Sequence, residues 1–314
     1  MKKLMPSTKA YFSQIIDYAG LFPPAQLSLD QAIRNYAGYQ QNADAWMLGR
    51  FVIPVGRITE LEAYLHLFSK DRKLDLSVTG RPAATVETWF EQLYSDMKLL
   101  NDFTAEHSGL ITVSMLELPL PTGVPAPSFF KKVADETPEA QLFFEMTTPL
   151  HSREWEQDLI GTLDSISDYN KSAKRIAGFK LRTGGVTADA FPTVEQTAFV
   201  LKACSDRDIP QKFTAGLHHP VRMYREEVQT EMHGFLNVFT AGMLSRVYHM
   251  KQNEIAYIIA DQTPHFTFSS SELGWKELRI HTEQIAQLRS SALYSFGSCS
   301  FDEPREDLQL LQLL

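Results

Sequence analysis

Three short segments place lysine, arginine, glutamate and histidine at alternate positions, and alternation along a β-strand puts such residues on one face. In GFKLRTGG (Gly178 to Gly185), Lys180 and Arg182 share a face opposite Phe179 and Leu181. Thr183, Gly184 and Gly185 then form a turn whose free N–H groups suit an oxyanion or phosphate. In QKFTAGLHHP (Gln211 to Pro220), Lys212, Thr214, Gly216 and His218 align, with His219 on the other face. His218 closes that strand, where an imidazole can titrate near neutral pH and act as general acid or base. In FFEMTT (Phe143 to Thr148), Glu145 shares a face with Phe143 and Thr147. A carboxylate in so apolar a strand is costly without a partner, so Glu145, Lys180 and Arg182 are expected to cluster.

These residues suit a lyase or isomerase acting on a small phosphorylated or carboxylated carbonyl compound. Lys180 would be a Schiff-base nucleophile or an electrophile, its pKa lowered by Arg182, while Glu145 or His218 moves protons. Arg182, Thr183, Gly184, Gly185, Lys212, Thr214 and Asn237 would hold the substrate or its anionic group. No cofactor is expected on this reading. An alternative is a zinc or manganese hydrolase or lyase with His218, His233 and Glu145 as ligands, although no close ligand spacing is visible. A further alternative is a non-catalytic small-anion binder in which Glu145 and Lys180 form a structural ion pair. In GSCS (Gly297 to Ser300), Cys299 lacks the GxSxG setting and has no base beside it in the sequence, so it reads as inert.

Short apolar runs alternating with amphipathic stretches must carry this face, which is the pattern of parallel α/β architecture. Strands are expected at Arg50 to Val55, Leu74 to Thr79, Leu110 to Glu117, Gln141 to Thr147, Ile176 to Thr183, Lys212 to Leu217, His233 to Phe239 and His265 to Phe268. Eight parallel strands close into a (β/α)8 barrel over residues 46–291. HGFLNVFTAGML also reads as helix, which leaves an open doubly wound α/β sheet as the alternative. Residues 1–45 then form an N-terminal segment in which DYAGLFPPA, Asp17 to Ala25, lies as an apolar plug or collar. Residues 292–314 form a loop and a leucine-rich helix, and the whole is one domain. The loop PLPTGVPAP, Pro119 to Pro127, is placed to overhang the site.

A strand-end lysine followed by a glycine turn, as in GFKLRTGG, resembles the arrangement in class I aldolases and other (β/α)8-barrel lyases and isomerases. The resemblance covers about a tenth of the chain and lies at the level of fold, with no complete family motif. It implies Schiff-base chemistry at Lys180.

Composition bounds the rest. At 314 residues, 44% apolar and 22% charged, the chain can bury a large core. A net charge of −8 without any basic run argues against nucleic acid as a partner. Cys204 and Cys299 offer neither a disulfide framework nor a zinc knuckle. Lys2 and Lys3 precede Pro6, Ser7 and Thr8 rather than an apolar run, so a cytoplasmic protein is expected. No stretch is apolar for long enough to enter a membrane. The partners expected are a small anionic molecule and, through the leucine-rich tail, a second copy in a homo-oligomer. There is no Walker loop, GxGxxG, HExxH or EF-hand loop, which disfavours nucleotide hydrolysis and NAD-linked hydride transfer.

Overall fold

The computed structural model describes residues 4–314, and the lysines at positions 2 and 3 lie outside them. Eight strands form the core: β1 (Ile16–Tyr18), β2 (Leu48–Pro54), β3 (Leu74–Thr79), β4 (Ile111–Pro119), β5 (Gln141–Glu145), β6 (Ala177–Arg182), β7 (Gln211–Thr214) and β8 (Leu293–Ser298). Each pairs in parallel with the next, and β1 pairs with both β2 and β8, closing the barrel. The fold is a (β/α)8-type barrel.

The strands read as apolar because one face packs on helices and the other fills the lumen. Helices Val86–Glu106, Trp155–Asn170 and Val194–Ser205 are among the covering elements. Their starts are fixed by chemistry the sequence displays: Thr85 accepts from the backbone N–H of Thr88, and Thr193 with Gln196 forms a reciprocal capping box. After β2 the crossover is a 3₁₀ stretch, Val55–Leu67.

Two of the eight expected strands are not in the barrel. His233 to Phe239 is instead the entry to helix Phe235–Tyr248, in which every residue from Phe235 to Ser245 is buried. A helix apolar on all sides has no amphipathic period, so its pattern cannot be told from that of a strand. The run from His265 supplies Phe266–Phe268, which pairs antiparallel with Glu272–Trp275 in a separate three-stranded sheet. The tight connection between those two runs permits a hairpin and not a crossover.

The barrel takes its missing strands from the terminal segments. β1 is only three residues long and carries Asp17, and β8, LYSFGS, is rich in small polar residues. Both are strands whose inner faces belong to the charged interior, which removes the apolar signal. The barrel therefore runs from Ile16 to Ser298, beyond residues 46–291 at both ends. Among the described residues no helix is long and apolar enough to cross a membrane.

Candidate functional site

Strand register places Glu145 of β5, Lys180 of β6 and Lys212 of β7 on one rung. Their side chains enter the lumen and meet carboxylates from across it. Lys180 Nζ lies 2.7 Å from Glu117 Oε2 of β4 and 2.8 Å from Glu145 Oε2. Glu145 turns its other oxygen to Arg182 Nε at 3.1 Å. Deeper in the barrel, the fully buried Lys212 is bound to Asp17 of β1, donates to Ser295 Oγ at 3.1 Å and lies 3.4 Å from Glu117 Oε1. Ser77 of β3 donates to Glu117 Oε1 at 2.5 Å, and the backbone N–H of Arg50 donates to Asp17 Oδ1 at 2.8 Å. Asp17, Lys212, Glu117, Lys180, Glu145 and Arg182 thus form a chain of alternating sign from the barrel interior to its mouth.

Burial disfavours the charged forms of Asp17, Glu117, Glu145 and Lys180, and their neighbours outweigh it. Lys180 and Lys212 hold the Glu117 carboxyl at about 2. Against burial, Lys212 and Arg50 depress Asp17, and Lys180 with Arg182 depresses Glu145. Lys180 is pushed above the ordinary lysine range by Glu117 and Glu145, again against burial. The expected lowering by Arg182 is therefore reversed: Arg182 is taken up by Glu145, and two carboxylates hold the Lys180 ammonium.

Above the network lies a cavity of about 260 Å³ at the C-terminal ends of the strands. Glu117 and Lys180 contribute to its floor, and Thr79, Arg182, Thr214, His218 and Cys299 to its walls. The wall is completed by Gly185, Val186, Ala215 and Gly216 from the loops after β6 and β7. Ala19, Phe22, Pro23 and Pro24 line it from the segment expected as an apolar collar. The Pro119 to Pro127 loop does not line this cavity.

His218 Nδ1 lies 3.3 Å from Glu303 Oε2 and 3.9 Å from Cys299 Sγ. Burial alone would lower its pKa, but Cys299 and Glu303 raise it to about 9, so the ring is a cation at neutral pH. His219 turns away, Nδ1 at 2.6 Å from Asp307 Oδ2, in a structural pair with the C-terminal helix Asp302–Leu310.

Lys180, His218, Arg182, Gly185 and Thr214 are thus brought to the cavity, Glu145 bonds Lys180 and Arg182 without lining it, and four expected binding residues are not there. Lys212 lies beneath the floor. The buried Thr183 hydroxyl donates to the carbonyls of Ala215, at 2.5 Å, and Thr214, tying two loops together. Gly184 lets those loops touch, since a Cβ there would meet the Phe191 ring and Gly216. Asn237 lies in a helix and bonds Arg222, Ile258 and Asp261 backbone groups. His233 is buried against Pro192 and Thr197, held down to about 4 by burial and by Arg222. Among the described residues, His218, His233 and Glu145 do not gather into a metal-ligand set.

Asp17, Ser77, Glu117, Ser295 and Glu303 were not anticipated from sequence. Glu117 in LITVSMLELP carries the same signal that singled out Glu145, a carboxylate in an apolar strand. The others needed the strand pairing itself.

No protein-family model and no curated protein matches the chain. Solved structures similar to it in shape include the following three. An engineered protein aligns with a TM-score of 0.44 at 12% identity, covering 82% of this chain and 77% of that one. A native Bacteroidetes-affiliated GH5 cellulase gives 0.41 at 10% identity, covering 83% and 89%. Haloferax volcanii malate synthase, in a pyruvate and acetyl-CoA ternary complex, gives 0.37 at 14% identity, covering 96% and 76%. Likeness at these scores carries no argument about chemistry, and the fold stands on the closed order of the eight strands.

Proposed function

We propose that the chain is a lyase or isomerase acting on a small carbonyl compound that bears an anionic group, with Lys180 as the electrophile. The observation that carries this reading is the Lys180 ammonium, seated between Glu117 and Glu145 on the floor of a cavity at the barrel mouth. That is the end at which barrel enzymes do their chemistry. Barrel interiors are ordinarily filled with Val, Ile and Leu, and replacing a buried ion network by apolar groups is often neutral or stabilising. Stability alone therefore gives weak reason for six charged residues in and above this lumen.

The chemistry follows from the charges. A carbonyl oxygen placed on Lys180 Nζ accepts a hydrogen bond from a cation, which stabilises the enolate formed by α-proton removal or by cleavage next to the carbonyl. Glu117, on the cavity floor beside Lys180, is the carboxylate nearest such a substrate, and Glu145, shared between Lys180 and Arg182, backs the pair without lining the cavity. Arg182, about half exposed beside Glu145, and the His218 cation beside Glu303 both line the cavity, where each can meet a phosphate or carboxylate. Because Lys180 is held protonated, Schiff-base formation would require transfer of its proton to Glu117 or Glu145 first.

The test is a panel of small phosphorylated and carboxylated aldehydes and ketones, assayed for isomerisation and carbon–carbon cleavage. Lys180→Arg keeps the charge and cannot form an imine, whereas Lys180→Met removes both. Retained partial activity in the first, loss in the second and no borohydride-trapped adduct on Lys180 support the electrophilic role. Full activity in Lys180→Met would sink the reading, and phosphate binding with no turnover across the panel would favour a non-catalytic anion binder.

A further inference from the structure

Cys299 lacks a neighbouring base in the sequence, and the fold supplies one. Its Sγ lies 3.9 Å from Nδ1 of His218, a residue that arrives from the loop after β7. Glu303 Oε2 stands 3.3 Å from the same nitrogen, from the first turn of the helix that follows β8. Since sulfur and carboxylate share one ring nitrogen, this is not a hydrolytic relay, in which the carboxylate would hold the far nitrogen. It is an imidazole set between a carboxylate and a sulfur, with Nδ1 placed to exchange a proton with Sγ, and the deprotonated sulfur is the reactive form of cysteine. His218 and Cys299 both line the cavity, so small solutes reach the sulfur. The other cysteine provides an internal control: Cys204 is wholly buried, and burial pushes its thiol up to about 12.

From this geometry we infer that Cys299 is a reversible oxidation site for hydroperoxides, with His218 as its proton donor. In the first step the Cys299 thiolate attacks one oxygen of hydrogen peroxide. The S–O bond forms as the O–O bond breaks, so sulfur loses two electrons and the peroxide gains them. The departing hydroxide takes the Nδ1 proton of His218 and leaves as water, giving a sulfenic acid and a neutral imidazole. A low-molecular-weight thiol then condenses with the sulfenic acid, releasing a second water and leaving a mixed disulfide, which further thiol reduces. Cys204 is too buried to resolve the sulfenic acid internally. The inference shares the cavity and His218 with the site proposed above, but needs no chemistry at Lys180 and is tested without any carbonyl substrate.

The experiment exposes the full chain to hydrogen peroxide, traps sulfenic acid with dimedone and locates the label by peptide mass spectrometry. The expected result is label on Cys299 and none on Cys204, with the thiol consumed about tenfold or more faster than glutathione under the same conditions. His218→Gln should slow the reaction by about tenfold, and Glu303→Gln, at a partly exposed position, by a smaller factor. Cys299→Ser is the blank. Consumption no faster than glutathione, equal labelling of Cys204, or rates unchanged in Glu303→Gln and in folded His218→Gln would overturn the assignment.

Discussion

Lys180 and Glu117 meet at 2.7 Å although their strands, β6 and β4, are not neighbours, so the pair spans the lumen past β5. Glu117 also faces Lys212 at 3.4 Å and accepts from Ser77. It is the junction between the deep pair, Asp17 with Lys212, and the mouth cluster of Lys180, Glu145 and Arg182. Charges linked in this way hold one another in place, and each orients the next toward the cavity.

Removing the junction should cost more than removing the carboxylate at the mouth. Glu117→Gln leaves two buried ammonium groups each short of a partner, and breaking a buried pair from one side costs about 3–5 kcal/mol. Glu145 is partly exposed, so water compensates in Glu145→Gln and about 1 kcal/mol is expected. Urea denaturation of the two variants measures the difference, and equal midpoints would mean that the network does not pass through Glu117.

Stability should peak near pH 6.5 and fall on both sides. His218 titrates at about 9 in the folded chain, above an unfolded value of about 6.5, so its stabilisation is complete below pH 6.5 and is lost as pH rises through 9. His233 is depressed to about 4, so the folded chain resists its protonation and stability falls as pH drops from about 6.5 to 4. Asp17, Glu117 and Glu145 are depressed as well, and their contribution disappears between about pH 4 and the value of about 2 held by Glu117. Denaturation midpoints across pH 3 to 10 test this, with His218→Gln expected to flatten the alkaline limb alone.

Inorganic phosphate should bind at the mouth. At tenfold excess over its dissociation constant it would stabilise the fold by about 1.4 kcal/mol, read as a rise in melting temperature. Arg182→Gln should weaken that binding about tenfold, the worth of one charge-assisted contact. A melting temperature indifferent to phosphate in the unsubstituted chain would remove the anion subsite from the cavity.

The legibility of these features in the sequence divides along physical lines. Lys180, Arg182 and Glu145 could be read because each interrupts an apolar strand, and alternation then fixes a common face. Glu117 carried that signal at the end of an apolar run. Asp17 and Ser295 did not, because the strands that hold them are so short or so polar on the inner face that they read as loops. Helix Phe235–Tyr248 failed in the opposite direction, since burial on all sides erased its period. The partnership of His218, Cys299 and Glu303 joins distant segments, and only barrel closure through β8 brings them together.

The cavity wall after β7 depends on one glycine. Gly216 has φ of +72°, and a Cβ on it would stand 2.9 Å from Gly184 Cα and from the Thr183 carbonyl oxygen. Gly216→Ala therefore meets left-handed strain and backbone on both sides, and should destabilise by about 2 kcal/mol or more while displacing the Gly185 and Ala215 wall. Gly38, exposed in helix Leu29–Tyr39, has nothing within 4 Å of the same added atom. Gly38→Ala should stabilise by about 0.5–1 kcal/mol, because alanine favours helix over glycine. Thermal melts of the two variants should thus move in opposite directions, and phosphate binding should weaken only in the first. A neutral Gly216→Ala would mean that the loops after β6 and β7 separate freely, and that they do not form a fixed wall for a ligand.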